Sequence, residues 1–443
     1  DFSKSTPFID HNVSLLDFQI DAFGPLGEDV LSSLRGTASG FFKLEGLLKS
    51  PDMDGSLTLR DAGLKFPYLN VDYDFNGDAV IGMEGQSFRF DKIGLKDTKY
   101  RTIGVLDGAI THQNFDSWFL DLNIDSDNLL VLDTQNSEEA LYYGTSFIKG
   151  NASISGLTQF VSIKVNAATM PNTLFVIPLK DIASVDSYRL IHFKGKKKPE
   201  EIREEIELEE IDGVNLDIAL QVTKDAIAQV VIDEVNGSEL KGSGAGNLQI
   251  DINTRGKFNM YGDFTIDNGF YNFRYGGLIN KPFKILKGGN ISWDGNPYEA
   301  NLNVTALYTT KANPTVLLEN FNTNRKIDVD LITNISGSLF NSKQEFDIEI
   351  PNSNSTIANE LDFVLNNGNL DFKIQQFLSL LLVNQFASPD RTTDFNGADV
   401  ISGTTGNALG SIISDMISND KVRVDVGYTS GGNTQNPKTD LAL

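Results

Sequence analysis

Residues able to do chemistry are scarce in this chain and poorly placed to cooperate. Its 443 residues hold no cysteine and only three histidines, His11, His112 and His192. Thiol catalysis, disulfides and cysteine-bound zinc or iron–sulfur centres are thereby excluded. No Gly-x-Ser-x-Gly elbow is present, and no histidine lies in a motif that would serve a serine nucleophile. Ser-x-x-Lys occurs, as at Ser146 and Lys149 or at Ser418 and Lys421, and Ser126-Asp127-Asn128 is present, but no Lys-Thr-Gly completes the set. The run GSGAGN (Gly242, Gly244, Gly246) lacks Gly-x-Gly-x-x-Gly spacing and leads into a strand, so no helix N-terminus is offered to a phosphate. DLNIDSDN imitates a calcium loop, but Ser126 stands where the glycine belongs and Leu132 where the glutamate belongs. Carboxylate pairs abound and spacing singles out none. These residues predict a protein that is no enzyme and carries no metal.

The elements must therefore position something other than a reacting group. Lys and Arg number 37 against 60 Asp and Glu, a net charge of −23. Phosphate backbones repel such a surface, which argues against nucleic acid as a partner, and anionic membrane surfaces are disfavoured alike. Hydrophobic residues make up 40%, enough to bury a core. No basic-apolar-small leader opens the chain, and no stretch approaches the ~20 apolar residues of a spanning helix. The opening DFSKSTPFID lacks an initiator Met and reads as a fragment or processed product.

Period-two alternation dominates. VNLDIALQV puts Val214, Leu216, Ile218, Leu220 and Val222 on one face, and NLQIDIN does the same with Leu248, Ile250 and Ile252. Leu302 and Val304, then Ile327, Val329 and Leu331, then Phe346 and Ile348, and finally Val422, Val424 and Val426 before Tyr428, continue the pattern. Half-buried strands of a largely antiparallel sheet read this way. Asp54-Gly55, Asn76-Gly77, Asp107-Gly108, Asn236-Gly237 and Asp294-Gly295 are expected to be turns. Loose quasi-repeats in the first 180 residues favour an elongated stack of strands over a compact sandwich. Late in the chain, helical spacing takes over: Phe372, Gln376, Leu380 and Val383 with Phe377, Leu381 and Leu382, then Ala408, Leu409, Ile412, Ile413, Met416 and Ile417.

The expected architecture is mainly β: an elongated, curled antiparallel sheet with two amphipathic helices near the C-terminus. Four segments follow: a strand-repeat region at 1–193, a charged linker at 194–212 (KGKKKPEEIREEIELEEID), a β domain at 213–350, and a helical segment with terminal strands at 351–443.

One stretch resembles a known family. Gly246-Asn-Leu opens a strand and Thr254-Arg-Gly256 turns; Tyr261-Gly262, Gly269-Phe-Tyr271 and Phe273 follow. Lys281-Pro-Phe283, Ile285, Gly288-Gly-Asn-Ile-Ser-Trp293-Asp-Gly295-Asn-Pro297 and Ala306-Leu-Tyr308 come next, then ISGSLFNSKQEFDIEIP and the helix around Gln376-Phe377. In this order they are similar to the C-terminal domain of TamB, the translocation and assembly module subunit and a relative of AsmA-type bridge proteins. The ordered likeness spans roughly 213–430; residues 1–195 are similar to the strand repeats of Bacteroidota-type members. The resemblance implies a taco-like trough with an apolar interior, in a periplasmic bridge between inner and outer membranes. It implies a BamA- or TamA-type outer-membrane barrel and phospholipids as partners, and inner-membrane attachment through a segment missing from this chain. Outer-membrane protein assembly and phospholipid movement are both linked to the family. No cofactor is expected, with bound phospholipid the one ligand in view.

On this reading the alternating apolar residues from Val214 to Ile348 line a groove with an acidic outer skin, in which acyl chains slide through non-directional contact. Alternatively the same face packs dry against the opposite wall. A docking scaffold is the second function: the strand of Val422, Val424, Val426 and Tyr428 would pair with a barrel edge or client strand by β-augmentation.

Overall fold

In a computed structural model of the chain, the described residues are 7–22, 32–137, 140–178, 213–233, 238–275, 279–318, 325–339, 343–352, 355–368 and 370–388. The chain divides into two units, one of residues 1–275, 280–308 and 332–347, the other of 276–279, 309–331 and 348–443.

In the first unit the alternating segments pair in chain order. Strands β1 (Phe8–Gln19), β2 (Ser32–Leu47) and β3 (Ser50–Phe66) form an antiparallel meander. Next, β4 (Val71–Phe75) and β5 (Ala79–Gly85) share β3 end to end, broken at Asn76-Gly77, where Gly77 takes φ +85°. The meander continues through β6 (Ser87–Asp97), β7 (Ile103–Gln113), β8 (Ser117–Thr134) and β9 (Tyr143–Leu157). Then β10 (Phe160–Thr169) and β11 (Leu174–Pro178) share β9, while β12 (Gly213–Val222) and β13 (Ile227–Asp233) share β14 (Ser238–Asn253).

Where these broken strands meet, β10 pairs with β12 and β11 with β13 in parallel. The two breaks are stitched together: Thr223 donates its N–H to Thr169 Oγ1 at 2.8 Å and its hydroxyl to the Thr169 carbonyl at 3.0 Å. Parallel neighbours need a long crossover. Residues 179–212, which include the charged stretch, lie outside the described residues.

β15 (Phe258–Tyr275) pairs with β14 and with β17 (Asn290–Gly295). Both β17 and β16 (Ile279–Ile285) pair with β18 (Asn301–Ala312). β19 (Ile327–Ser338) and β20 (Lys343–Glu349) complete the strands among the described residues. Thr305 bonds Asn334 at 2.8 Å, Thr309 bonds Asp330 at 2.6 Å and Lys311 pairs with Asp328 at 3.5 Å, the stepwise register of antiparallel β18 and β19.

The sheet of the first unit curls. A flat sheet would hold β4 and β8 about 14 Å apart, with two strands between them. Instead Tyr73 of β4 donates its hydroxyl to the Leu130 carbonyl of β8 at 2.5 Å. Bulges supply the bend. At Leu16-Asp17, Asp61-Ala62 and Asp91-Lys92 two residues oppose one, with Asp17, Asp61 and Lys92 at φ +49°, +48° and +50°. Buried residues form two clusters, one spanning Ala38 to Phe147 and the other Leu120 to Ile335, and Ile110, Leu122 and Ile124 pack against both. A closed loop braces the first cluster: fully buried Asp97 accepts the N–H groups of Lys99, Tyr100 and Thr102 at 3.0, 2.6 and 2.5 Å, and the Thr102 hydroxyl.

Two expected turns are strand interiors. Asp54-Gly55 lies within β3 and Asp107-Gly108 within β7. At Gly108, φ +128°, an added Cβ would sit 2.1 Å from the Asp121 carbonyl oxygen; at Gly55 it would meet the Phe41 carbonyl oxygen at 2.5 Å. Glycine here serves close approach of the next strand rather than reversal of the chain. Asn236-Gly237 lies outside the described residues.

In the second unit the first helical stretch is two helices, α1 (Ser355–Asn367) and α2 (Leu370–Val383). Leu361 and Leu365 are buried on α1, and Phe377, Leu378, Leu380 and Leu381 on α2. Gln376, fully buried, is met by the chain folding back: its amide donates to the Ala387 carbonyl at 2.9 Å and accepts the Ala387 N–H at 2.8 Å. The helix expected over Ala408, Leu409, Ile412, Ile413, Met416 and Ile417 lies outside the described residues.

Candidate functional site

Because side chains alternate and register carries from strand to strand, one line of cross-strand partners crosses the first unit. It begins Leu15, Gly40, Leu57, Ile81, Phe90 and Gly108, from β1 to β7. It continues through Leu122, Ile154, Ile163, Leu216, Ile252 and Phe258, ending on β15. Every member is apolar or glycine, and Gly108 lies beside bulky Phe90. A second line runs Val13, Phe42, Gly55, Met83, Phe88, Ile110 and Leu120. On β12 and β14 the opposite face is polar: Asn215, Asp217 and Gln221 are exposed, and Asp217 stands across from Asp251; on β1, β2, β5 and β8 it also carries exposed Leu16, Phe41, Val80 and Phe119.

This inner face is not completely filled. A first cavity of about 400 Å³ is walled by β1 to β8, with Leu15, Phe42, Leu57, Met83 and Phe90 among its lining and Thr158 its single non-aromatic polar residue. A second, of about 220 Å³, reaches from Ile148 on β9 to Trp293 on β17. On a flat sheet those strands would stand about 24 Å apart, so the curl makes this cavity. Several polar groups on its wall are already engaged. Thr169 bonds Thr223, the Thr173 hydroxyl accepts from the Phe147 N–H at 3.0 Å, and Gln229 donates to Glu239 at 2.7 Å. Tyr142, at the same wall, stacks on Phe175 and bonds Tyr68 at 3.3 Å; burial pushes its hydroxyl pKa up, so it stays neutral. Burial likewise pushes Tyr271 up to about 12. No charged side chain lines either cavity. Among the described residues no cluster of three His, Cys, Asp or Glu could hold a metal, and no helix is long and apolar enough to cross a membrane. What such a surface can do is hold apolar chains by contact alone, with no fixed orientation.

Of the residues expected to line a groove, Leu216, Ile218, Leu220, Val222, Leu248, Ile250 and Ile252 come together at the second cavity. Val214 and Val304 are buried in the same core cluster, and Leu302 borders a small hollow with Leu339. Phe346 is half-buried in the first unit. Ile327, Val329, Leu331 and Ile348 belong to the second unit, where Val329 and Leu331 are fully buried. The docking strand of Val422, Val424, Val426 and Tyr428 lies outside the described residues. The larger cavity went unforeseen. Its signal was alternation of the same kind, Val13 and Leu15, Phe42 and Leu44, Phe88 and Phe90, masked by the glycines read as turns.

Comparison with curated proteins returns no match. The family model described as the TamB C-terminal domain matches residues 93–443, beginning in β6, well before the ordered likeness at 213–430, and including β12 to β18, where the second cavity's wall and the quoted motifs lie. With the greater part of its length matched, the chain belongs to the TamB family.

Proposed function

We propose that this chain is part of a Bacteroidota-type periplasmic bridge between inner and outer membranes, whose apolar trough carries phospholipid acyl chains toward the outer membrane. On this reading it works with a BamA-type barrel, assists assembly of outer-membrane proteins and performs no chemistry of its own. The family belongs to the bacterial envelope and is tied to outer-membrane assembly and lipid transport, which supports the setting. The observation that carries the proposal is the unbroken apolar line from Leu15 to Phe258 beside two cavities of about 400 and 220 Å³. Each buried methylene contributes about 0.8 kcal/mol wherever it lies along such a line, so an acyl chain is held without a deep trap and can pass. The net charge of −23 keeps copies of such an open apolar trough from associating. Mass spectrometry of ligands extracted from native protein, purified without detergent, tests this. Phospholipid in near-stoichiometric amount is expected, and lipid-free protein overturns the conduit.

A further inference from the structure

At the β7–β8 turn the first cavity ends in four rings. His112 and Trp118 are direct cross-strand partners with ring centroids 5.0 Å apart. Phe115 stacks on His112 at 4.1 Å and Phe88 on Trp118 at 6.0 Å. Phe88, Phe115 and Trp118 line the cavity, and His112 lies two positions beyond Ile110, another lining residue, hence on the same face of β7.

Two polar atoms in this cluster are buried without a hydrogen-bond partner among the described residues, His112 Nε2 and Trp118 Nε1. His112 itself is 3% exposed. The Phe115 N–H donates to His112 Nδ1 at 3.2 Å, so the proton of the neutral ring belongs on Nε2. Both orphaned atoms are therefore donors, and what they need is an acceptor.

The turn is built at a conformational cost. Asn114 and Phe115 both take φ +59°, with the Asp116 N–H donating to the Gln113 carbonyl at 3.0 Å. Such tight turns ordinarily place glycine where Phe115 stands, and a bulky residue at positive φ is strained. Strain of this kind persists where the surroundings over-determine it and clusters at ligand clamps. Here the ring of Phe115 covers His112 and its N–H orients the imidazole.

We propose that this end of the first cavity binds the ester carbonyl of a lipid acyl chain, the chain lying in the cavity and the carbonyl oxygen accepting from His112 Nε2 and Trp118 Nε1. The inference rests on the reading of the trough as a holder of acyl chains. A neutral acceptor fits better than a carboxylate. The cavity lining holds no cation, and exposed Asp116 sits in the turn itself. Burial also lowers the proton affinity of His112, which keeps the ring neutral.

The test titrates the full chain with a monoacyl glycerophosphocholine, its ether-linked analogue of equal chain length, and the free fatty acid, each below its micelle concentration. The ester should bind about tenfold tighter than the ether, the equivalent of one net hydrogen bond of about 1.4 kcal/mol. In the His112→Phe, Trp118→Phe double variant that gap should close, with ether binding kept. Equal affinity of ester and ether for the native chain, a gap that survives in the variant, or tightest binding by the fatty acid overturns the proposal. Binding of none of the three overturns the acyl reading beneath it. Should the double variant not fold, Trp118→Phe alone with a ¹³C-carbonyl ester serves: the bound carbonyl band should sit at lower frequency in the native protein and move back up in the variant.

Discussion

Replacing Ile218 by glutamate probes the trough at a point where the structure sets the expected size of the effect. Ile218 is half-buried on the second cavity's wall, between Val165 on β10 and Ile250 on β14, with Met260 next in line on β15. An acyl chain crossing that line loses contact worth about three to four methylenes, roughly 3 kcal/mol at ~0.8 kcal/mol each. Lipid occupancy should therefore fall by about 100-fold. Ala219, the next residue, faces outward and is exposed. Ala219→Glu adds the same charge to the same strand and should leave occupancy unchanged. Lipid bound per protein after equilibration with vesicles, quantified by mass spectrometry, gives the comparison. Stability adds a second reading. If the trough is open, the new carboxylate stays hydrated and Ile218→Glu costs about 1–2 kcal/mol, the lost part of an isoleucine's burial. If the face is sealed and dry, an unpaired buried charge costs about 3–5 kcal/mol. Equal lipid retention by the two variants, or equal loss in both, refutes the argument that the inner face holds the chain.

Asp97→Ala removes the buried acceptor for three backbone N–H groups of the loop that follows it and should cost about 3 kcal/mol in urea unfolding, while Asp116→Ala, on an exposed turn, should fall within about 0.5 kcal/mol of the native chain. Gly108→Val places a Cβ against the Asp121 carbonyl oxygen at φ +128° and should destabilise by about 2–4 kcal/mol; Gly77→Ala, at φ +85° with nothing within 4 Å, carries the backbone strain alone and should cost about 1 kcal/mol. Burial lowers the pKa of His112, so the unfolded chain binds its proton first as pH falls. Stability from this group is complete above the unfolded value of about 6.5 and declines as pH drops through it toward the lower folded value. Thermal melts between pH 7.5 and 5 should show that decline in the native chain and a shallower one in His112→Phe. Gln376→Ala strands the N–H and carbonyl of Ala387 and should cost about 2 kcal/mol, whereas Gln385→Ala should leave the melting temperature unchanged, since Ser379 contacts only the Gln385 backbone carbonyl.

Alternation alone was enough to assign β12, β14, β18, β19 and β20 and to say which side of each is apolar, because the two-residue period of a strand is local. The same holds for the absence of thiol chemistry, which follows from a chain without cysteine. Pairing is a different matter. That β10 lies parallel to β12 across residues 179–212 depends on contacts far apart in the chain, and no local pattern encodes them. Nor does a dipeptide say whether its glycine turns the chain or admits a neighbouring backbone: Asn76-Gly77 breaks a strand, while Asp107-Gly108 sits inside one, against the Asp121 carbonyl oxygen. No local pattern supplies a partner for Gln376 on the apolar stripe of α2; the chain folding back at Ala387 does. Most consequential is the curl. Single strands carry an apolar face whether a sheet is flat or bent, but bulges at Asp17, Asp61 and Lys92 and the long-range register bring β9 and β17 to one cavity and set His112 beside Trp118. The greasy face was readable from short stretches of chain; the room inside it, and the two donors at its end, exist because distant strands are bent toward one another.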